Sequence, residues 1–317
     1  MGVLHFFRNF VAVKEISCEK AMGRKPWGMP AGFAIGAGLI GIGLILQWCV
    51  GPLSWSAFSW PVNGITLGIF LLAIVLMALL ARRCYPFRFL STNKVAVPTL
   101  IYAVVLTIIM GLTQQKADGR GIDNMLSFWP FVLVYTLMAV ILGLVTIRRI
   151  SHFKFTLQNC QFMAFHLGLF IVLITATLGN ADVQRLKFIT FVGQTEWRGV
   201  NEENRVVETP LAIELQRFIM ETYDNGSPKR FASEIVVRTK GGEVKHAVVD
   251  VNKPVRIGGW KIYQYGYDTQ KGAESQMSIL ELVRDPWLPA VYTGIFLMLL
   301  GALLMFMQRR GKEEKYR

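Results

Sequence analysis

The chain has little charge, little sulfur and little imidazole. Only 17% of its 317 residues are charged, and it has four cysteines and four histidines. Cys18, Cys49, Cys84 and Cys160 form no CxxC, so no thiol pair is placed for disulfide exchange and a thiol–disulfide exchanger is excluded. An HExxH helix, a Gly-rich phosphate loop and a GxSxG elbow are missing as well, which leaves no hydrolase or nucleotide site in view. The first 30 residues contain no apolar core followed by a small-residue cleavage site. No signal peptide is therefore expected there, and the first long helix should stay in place.

What the chain has in abundance is apolar sequence. Hydrophobic residues make up 53% of it and the mean hydropathy is +0.40, values of an integral membrane protein. Six long apolar runs carry that average, at 31–50, 63–81, 95–113, 128–147, 155–178 and 287–307. Each is about as long as a bilayer-spanning helix requires. The net charge of +13 sits entirely in segments 1–30, 82–94, 148–154 and 309–317, which hold 17 Lys and Arg against four acids. Those segments are alternate loops, so the excess follows the positive-inside rule for six spans with both termini in the cytoplasm. The basicity is topological, and nucleic acid is not an expected partner. Membrane lipid is.

The reading predicts four parts: a cytoplasmic segment over 1–30, a five-helix membrane region over 31–180, an extracytoplasmic β-rich domain over 181–286, and a final span with a basic tail over 287–317. In the first run, Ala37 and Gly41 form a small-xxx-small pair that predicts a helix-packing face. Trp48, Trp55, Trp60 and Trp129 lie where spans meet the outer interface, the usual place of amphipathic indoles. Trp60-Pro61 and Trp129-Pro130 each open a returning span, and Arg82-Arg83 and Arg148-Arg149 each close one. The second and third spans thus read as a weak parallel copy of the fourth and fifth, with Leu100 at the position of His166.

Within 181–286, alternating polar and apolar residues predict strands over Ala212–Ile219, Glu234–Arg238, Val244–Val251 and Trp260–Tyr265. Turn signals at Asp224-Asn225-Gly226, Gly241-Gly242 and Gly258-Gly259 separate them. An antiparallel sandwich or open barrel follows. Trp197, Trp260, Tyr263 and Tyr265 would either meet a partner or fill the domain's core.

Of the four histidines, His5 and His152 lie among basic or aromatic residues at the cytoplasmic face, and His246 alternates with valines in a predicted strand. His166 differs, because it lies inside an apolar run whose only other ionisable group from Cys160 to Leu178 is Cys160 itself. An ionisable residue at that depth is costly and usually functional. Desolvation favours neutral imidazole, with one ring nitrogen free to donate to iron, and haem suits an apolar setting. Phe162, Met163, Leu169 and Phe170 share its helical face and would wall a flat ligand; the same stripe would serve for helix packing. A hydrogen bond from His166 to a neighbouring helix is the plainer alternative.

Phe165-His166-Leu167-Gly168-Leu169 resembles the histidine-bearing helix of the ResB (CcsB, Ccs1) family of system II cytochrome c biogenesis proteins. The resemblance continues, in the family's order, through Leu215-Gln216-Arg217-Phe218, Glu221-Thr222-Tyr223, Pro228–Ser233, Val251-Asn252-Lys253-Pro254 and Ile262–Asp268, and ends at Arg284-Asp285-Pro286 with Tyr292 and Gly294. It covers about 128–307. The family usually has three spans before its external domain and this chain has five.

That resemblance implies a polytopic protein of the bacterial inner membrane that handles haem b as cargo. His166 would be an axial ligand to haem iron, with Phe162, Phe165 and Phe170 as pocket residues. A separate CcsA-type membrane partner would supply the opposite ligand, and together they would export haem and present it for attachment to apocytochrome c. The chain alone would carry no catalytic activity, contributing instead to a haem lyase complex. Two other readings stay open: a scaffold that holds CcsA and apocytochrome without binding haem, and a transporter of another small solute.

Overall fold

The computed structural model describes residues 27–116, 119–225 and 227–313. His5, Cys18 and the other charged positions before residue 27, together with Asp118, Gly226 and the last four residues, lie outside that range. The chain divides into a helical unit, up to Ala181 and again from Pro289, and a β unit of Asp182–Leu288.

The helical unit contains α1 (Met29–Val50), α2 (Val62–Leu80), the short α3 (Tyr85–Leu90), α4 (Asn93–Leu112), α5 (Trp129–Ser151), α6 (Leu157–Gly179) and α7 (Leu288–Glu313). All but α3 are long and apolar enough to cross a membrane, so the protein is a polytopic helical membrane protein with a β domain before its last span. Local chemistry sets the starts. Pro30 and Pro130 occupy the first turns of α1 and α5, where a missing N–H costs nothing, and the Thr156 hydroxyl caps α6 by accepting from the Asn159 N–H at 3.3 Å.

Helix α5 is the hub of the unit. Half of its most apolar stretch is buried, against 11–22% in the other spans, because α1, α2, α4 and α6 all pack on it. The packing face of α1 is not the Ala37/Gly41 pair. Ala37 is exposed, and a Cβ at Gly38 or Gly41 would meet nothing within 4 Å. Closeness comes instead from Gly32 and Gly36, against Lys94, Pro98 and Tyr102 of α4, and from Gly43, where a Cβ would lie 2.6 Å from the Pro130 backbone. Spacing alone cannot say which of several glycine pairs points inward.

Two of the interface tryptophans tie loops together. Trp55 Nε1 donates to the Leu126 carbonyl at 3.1 Å, and Trp129 Nε1 to the Gly51 carbonyl at 2.9 Å. Gln47 joins the same join from α1, donating to the Arg120 carbonyl and accepting from the Trp129 N–H. Gln115 accepts from the Met125 N–H at 2.9 Å and donates back to the Ile122 carbonyl. Two side-chain amides thus satisfy backbone groups of the 113–128 connection.

The β unit is one eight-stranded antiparallel sheet, β1 (Gln184–Phe191), β2 (Thr195–Val200), β3 (Val206–Thr222), β4 (Pro228–Thr239), β5 (Val244–Asp250), β6 (Val255–Ile257), β7 (Trp260–Tyr267) and β8 (Met277–Arg284), in the order β5-β4-β3-β2-β1-β8-β7-β6. The sheet curls until its edges meet: Lys245 of β5 donates to the Arg256 carbonyl of β6 at 2.9 Å, giving a barrel-like form. Leu186, Phe188, Ile213, Leu215, Ile235, Val237, Ile262, Leu280 and Leu282 fill one core from both halves of the sheet. Trp260 belongs to that core, at 3% exposed, whereas Trp197 and Tyr265 stay largely exposed.

The core is not wholly apolar. Ser233 and Ser278 share a hydrogen bond at 2.6 Å, Gln264 donates to the Ser278 hydroxyl at 2.9 Å, and Thr190 donates to the Ser278 carbonyl. The four predicted strands lie in β3, β4, β5 and β7. Strands β1 and β8 were not anticipated, because Thr190 and Ser278 sit at inward positions and blunt the alternation.

At the far end of the sheet from Gln184 and Arg284, Arg230 donates to Asp250 at 2.9 Å and to Glu221 at 2.8 Å, tying β3, β4 and β5 together. The Arg230 guanidinium holds the Asp250 carboxyl below the usual carboxylate range. A depressed pKa stabilises the fold above the unfolded value of about 4 and ceases to do so as pH falls through the folded one. Asp250→Asn should therefore lower the melting temperature of the β-sheet signal at pH 7, with the difference from wild type closing in acid. A deficit that persists unchanged below pH 3 would mean that the ion pair is not its source.

Candidate functional site

Helix α6 carries His166 on its third turn, in a helix otherwise built from Leu, Ile, Val, Phe and small residues. The half-buried imidazole bonds to its own helix: Nδ1 lies 2.9 Å from the carbonyl oxygen of Phe162, one turn earlier. A carbonyl can only accept, so Nδ1 carries the proton and Nε2 is left with its lone pair available. Metal-binding histidines are commonly oriented in this way, with one ring nitrogen donating to a backbone carbonyl while the other ligates. The group that sets the His166 tautomer is thus the Phe162 carbonyl, and no neighbouring helix is needed for it.

The Phe162 ring stacks on the imidazole, with centroids 3.7 Å apart and planes 17° apart. Arg149 of α5 also lies over the Phe162 ring, its guanidinium carbon 5.1 Å from the centroid. Phe165 meets His166 edge-on at 5.9 Å and is 38% exposed. Phe170 lies elsewhere: its ring faces Gly143 of α5, 3.1 Å from where a Cβ on that glycine would sit. Phe162 and Phe165 therefore surround the imidazole, whereas Phe170 fills the α5–α6 seam. Below the site, Asn159 is buried and donates to the Lys154 carbonyl at 2.8 Å, whereas the Gln161 side-chain oxygen is buried without a partner among the described residues.

Among the described residues no group of three or more His, Cys, Asp or Glu could hold a metal ion. A lone imidazole suits a metal that brings its own equatorial ligands, as porphyrin iron does. His152 ends α5 at an exposed position, His246 is exposed on β5 opposite Val236, and neither joins the site. Leu100, at the repeat position of His166, is 51% exposed and carries no chemistry.

Helix α7 holds the other side of α6. A Cβ on Gly168 would lie 2.6 Å from the Gly294 carbonyl and 2.8 Å from the Met298 N–H nitrogen, and one on Gly301 would lie 2.7 Å from the Phe165 nitrogen. These contacts are backbone on backbone, so neither helix has anything flexible to move aside. The role of Gly168, Gly294 and Gly301 in the crossing, and of Arg149 beside Phe162, escaped sequence reasoning. Arg149 was hidden by its second reading as a positive-inside residue.

A second cluster lies in the β unit. Tyr267 stacks on Phe218 at 5.0 Å and meets Phe231 at 5.1 Å, next to the Arg230 bridge. The blocks around 215–223, 228–233, 251–254 and 262–268 converge on this end of the sheet.

Comparisons with known proteins point one way. Residues 153–278 match the ResB-like family. The cytochrome c biogenesis protein CcsB of Synechococcus sp. (strain RCC307) is 30% identical over 100 residues, and that of Prochlorococcus marinus (strain NATL1A) 29% identical over 99. Each match covers 31% of this chain and 22% of the relative, so the chain matches about a fifth of the length of these proteins. Among solved structures the cytochrome c haem lyase CcmF is a distant likeness, 14% identical with a TM-score of 0.36 over 88% of this chain and 46% of that one.

The α6–α7 crossing gives a direct test. Gly168→Leu should force the two helices apart and lower the melting temperature of the detergent-solubilised protein, by several degrees for a cost of about 1–3 kcal/mol. Gly38→Leu, on the open side of α1, should leave it unchanged. Equal behaviour of the two variants would contradict the close crossing.

Proposed function

We propose that this chain, ResB-like across residues 153–278, works in cytochrome c biogenesis as a haem-binding membrane subunit. Haem b is its cargo and His166 its axial ligand. The observation that carries this reading is the bond from His166 Nδ1 to the Phe162 carbonyl, which leaves Nε2 as a ready donor inside an apolar span. The names of the CcsB relatives support the pathway.

In this reading the chain's own residues do three things. Phe162 holds the imidazole tautomer through its carbonyl and the ring orientation through its stack, and Phe165 closes a second side. The tight α6–α7 crossing keeps α6 from shifting when a ligand pulls on His166. When bound, the porphyrin supplies the iron and its equatorial nitrogens. The opposite axial ligand comes from a CcsA-type membrane partner, as the resemblance to the ResB family implies. That complex exports haem and presents it to apocytochrome c.

Sidedness follows from the charge pattern. The basic segments face the cytoplasm of a bacterial inner membrane, and the domain over 181–286 lies outside it, between the membrane region over 31–180 and the final span. His166 lies nine residues into α6 from Leu157, about 13 Å along the axis, a depth suited to haem in transit.

Purified with its partner, the protein should show a Soret band that His166→Ala weakens strongly and that added imidazole partly restores. A His166→Ala spectrum identical to wild type would defeat the ligand assignment. Cytochrome maturation that also survived that substitution would favour the scaffold reading.

A further inference from the structure

The Phe162 ring that stacks on the imidazole also carries a guanidinium whose Nε is buried without a partner. Arg148 and Arg149 are neighbours in the last turn of α5, yet they differ. Arg148 donates to the Ser91 hydroxyl at 3.3 Å. The Arg149 side chain makes no hydrogen bond or ion pair among the described residues, and its Nε is buried without a partner. A guanidinium cannot shed its charge, and a buried, unpaired N–H of a cation is costly. The side chain is nevertheless laid over the Phe162 face, two rings away from the imidazole: its Cζ is 5.1 Å from the phenyl centroid, which is 3.7 Å from the imidazole centroid.

We propose that Arg149 is an anion site for the cargo: it binds a carboxylate of the porphyrin whose iron His166 ligates. This rests on the haem reading above and adds to it the second point that fixes the ligand. A single axial bond leaves a flat macrocycle free to rotate about the metal–nitrogen axis. A cation held beside the ligating imidazole removes that freedom, and guanidinium is the side chain best matched to a carboxylate, through two parallel N–H donors. The Phe162 ring contacts both partners, with the imidazole stacked on it and the guanidinium over it. The site therefore selects a porphyrin with free acid groups and a defined rotational setting. Other anions with access to the end of α5 are lipid phosphates, and the test separates them.

The full chain, purified together with its CcsA-type partner, is titrated in nanodiscs with ferric haem and with haem dimethyl ester, in which both carboxylates are blocked, while the Soret band is followed. Wild type should bind haem more tightly than the diester. Arg149→Gln should weaken haem binding about tenfold or more while leaving the diester unchanged, and Arg149→Lys should recover part of the loss. The same pattern should hold in zwitterionic and in anionic lipid. Equal weakening of haem and diester by Arg149→Gln, or no effect on either, would overturn the carboxylate site. An effect seen only in anionic lipid would assign Arg149 to headgroups and overturn it too. If wild type gives no Soret band that depends on His166, the haem reading itself fails and this site falls with it.

Discussion

A hydrocarbon surround offers no hydrogen bonds, so every polar group that enters it must find its partner inside the chain. Much of the helical unit follows from that one constraint. Thr99, Thr136, Thr146, Thr175 and Thr177 each turn the hydroxyl back to the carbonyl four residues earlier. Asn159 reaches the Lys154 carbonyl, and the amides of Gln47 and Gln115 close the loop between α4 and α5. His166 obeys the same rule, but its ring has two nitrogens. Satisfying one inside the helix leaves the other with its lone pair unused by that bond.

The constraint also explains what could be read in advance. Six spans were legible because length and apolarity are what a bilayer demands, and Pro30, Pro130 and Thr156 marked starts of the kind that sequence displays openly. His166 was legible because Cys160 is the one other ionisable group in its run. Which glycines pack was not. Gly36 and Gly41 look equivalent in the chain, yet one faces Tyr102 and the other open space, a difference set by helix rotation about α5. The β unit divides similarly: alternation revealed β3, β4, β5 and β7, whereas inward Thr190 and Ser278, directly opposite each other on neighbouring strands, disguised β1 and β8.

Phe170 and Arg149 show the limit of helical-wheel reasoning at a site. Phe170 shares a face with His166 by spacing, but α5 presents Gly143 opposite it and takes the ring into the seam. Arg149 shares no segment with His166 and reaches it through the Phe162 ring. Neither assignment follows from α6 alone, since both depend on what α5 places across from it.

The β unit enters the chain by one strand and leaves by its neighbour. Strands β1 and β8 pair along their whole length from Gln184 opposite Arg284, and the Trp287 indole donates to Asp182 at 2.6 Å across the two ends. Its first and last residues are thus fastened to each other, and the helices that flank them, α6 and α7, are pressed together by their own glycines. Such a unit is a cassette: a short linker in its place would ask little of the spans on either side, and lengthening, shrinking or exchanging it need not disturb the imidazole.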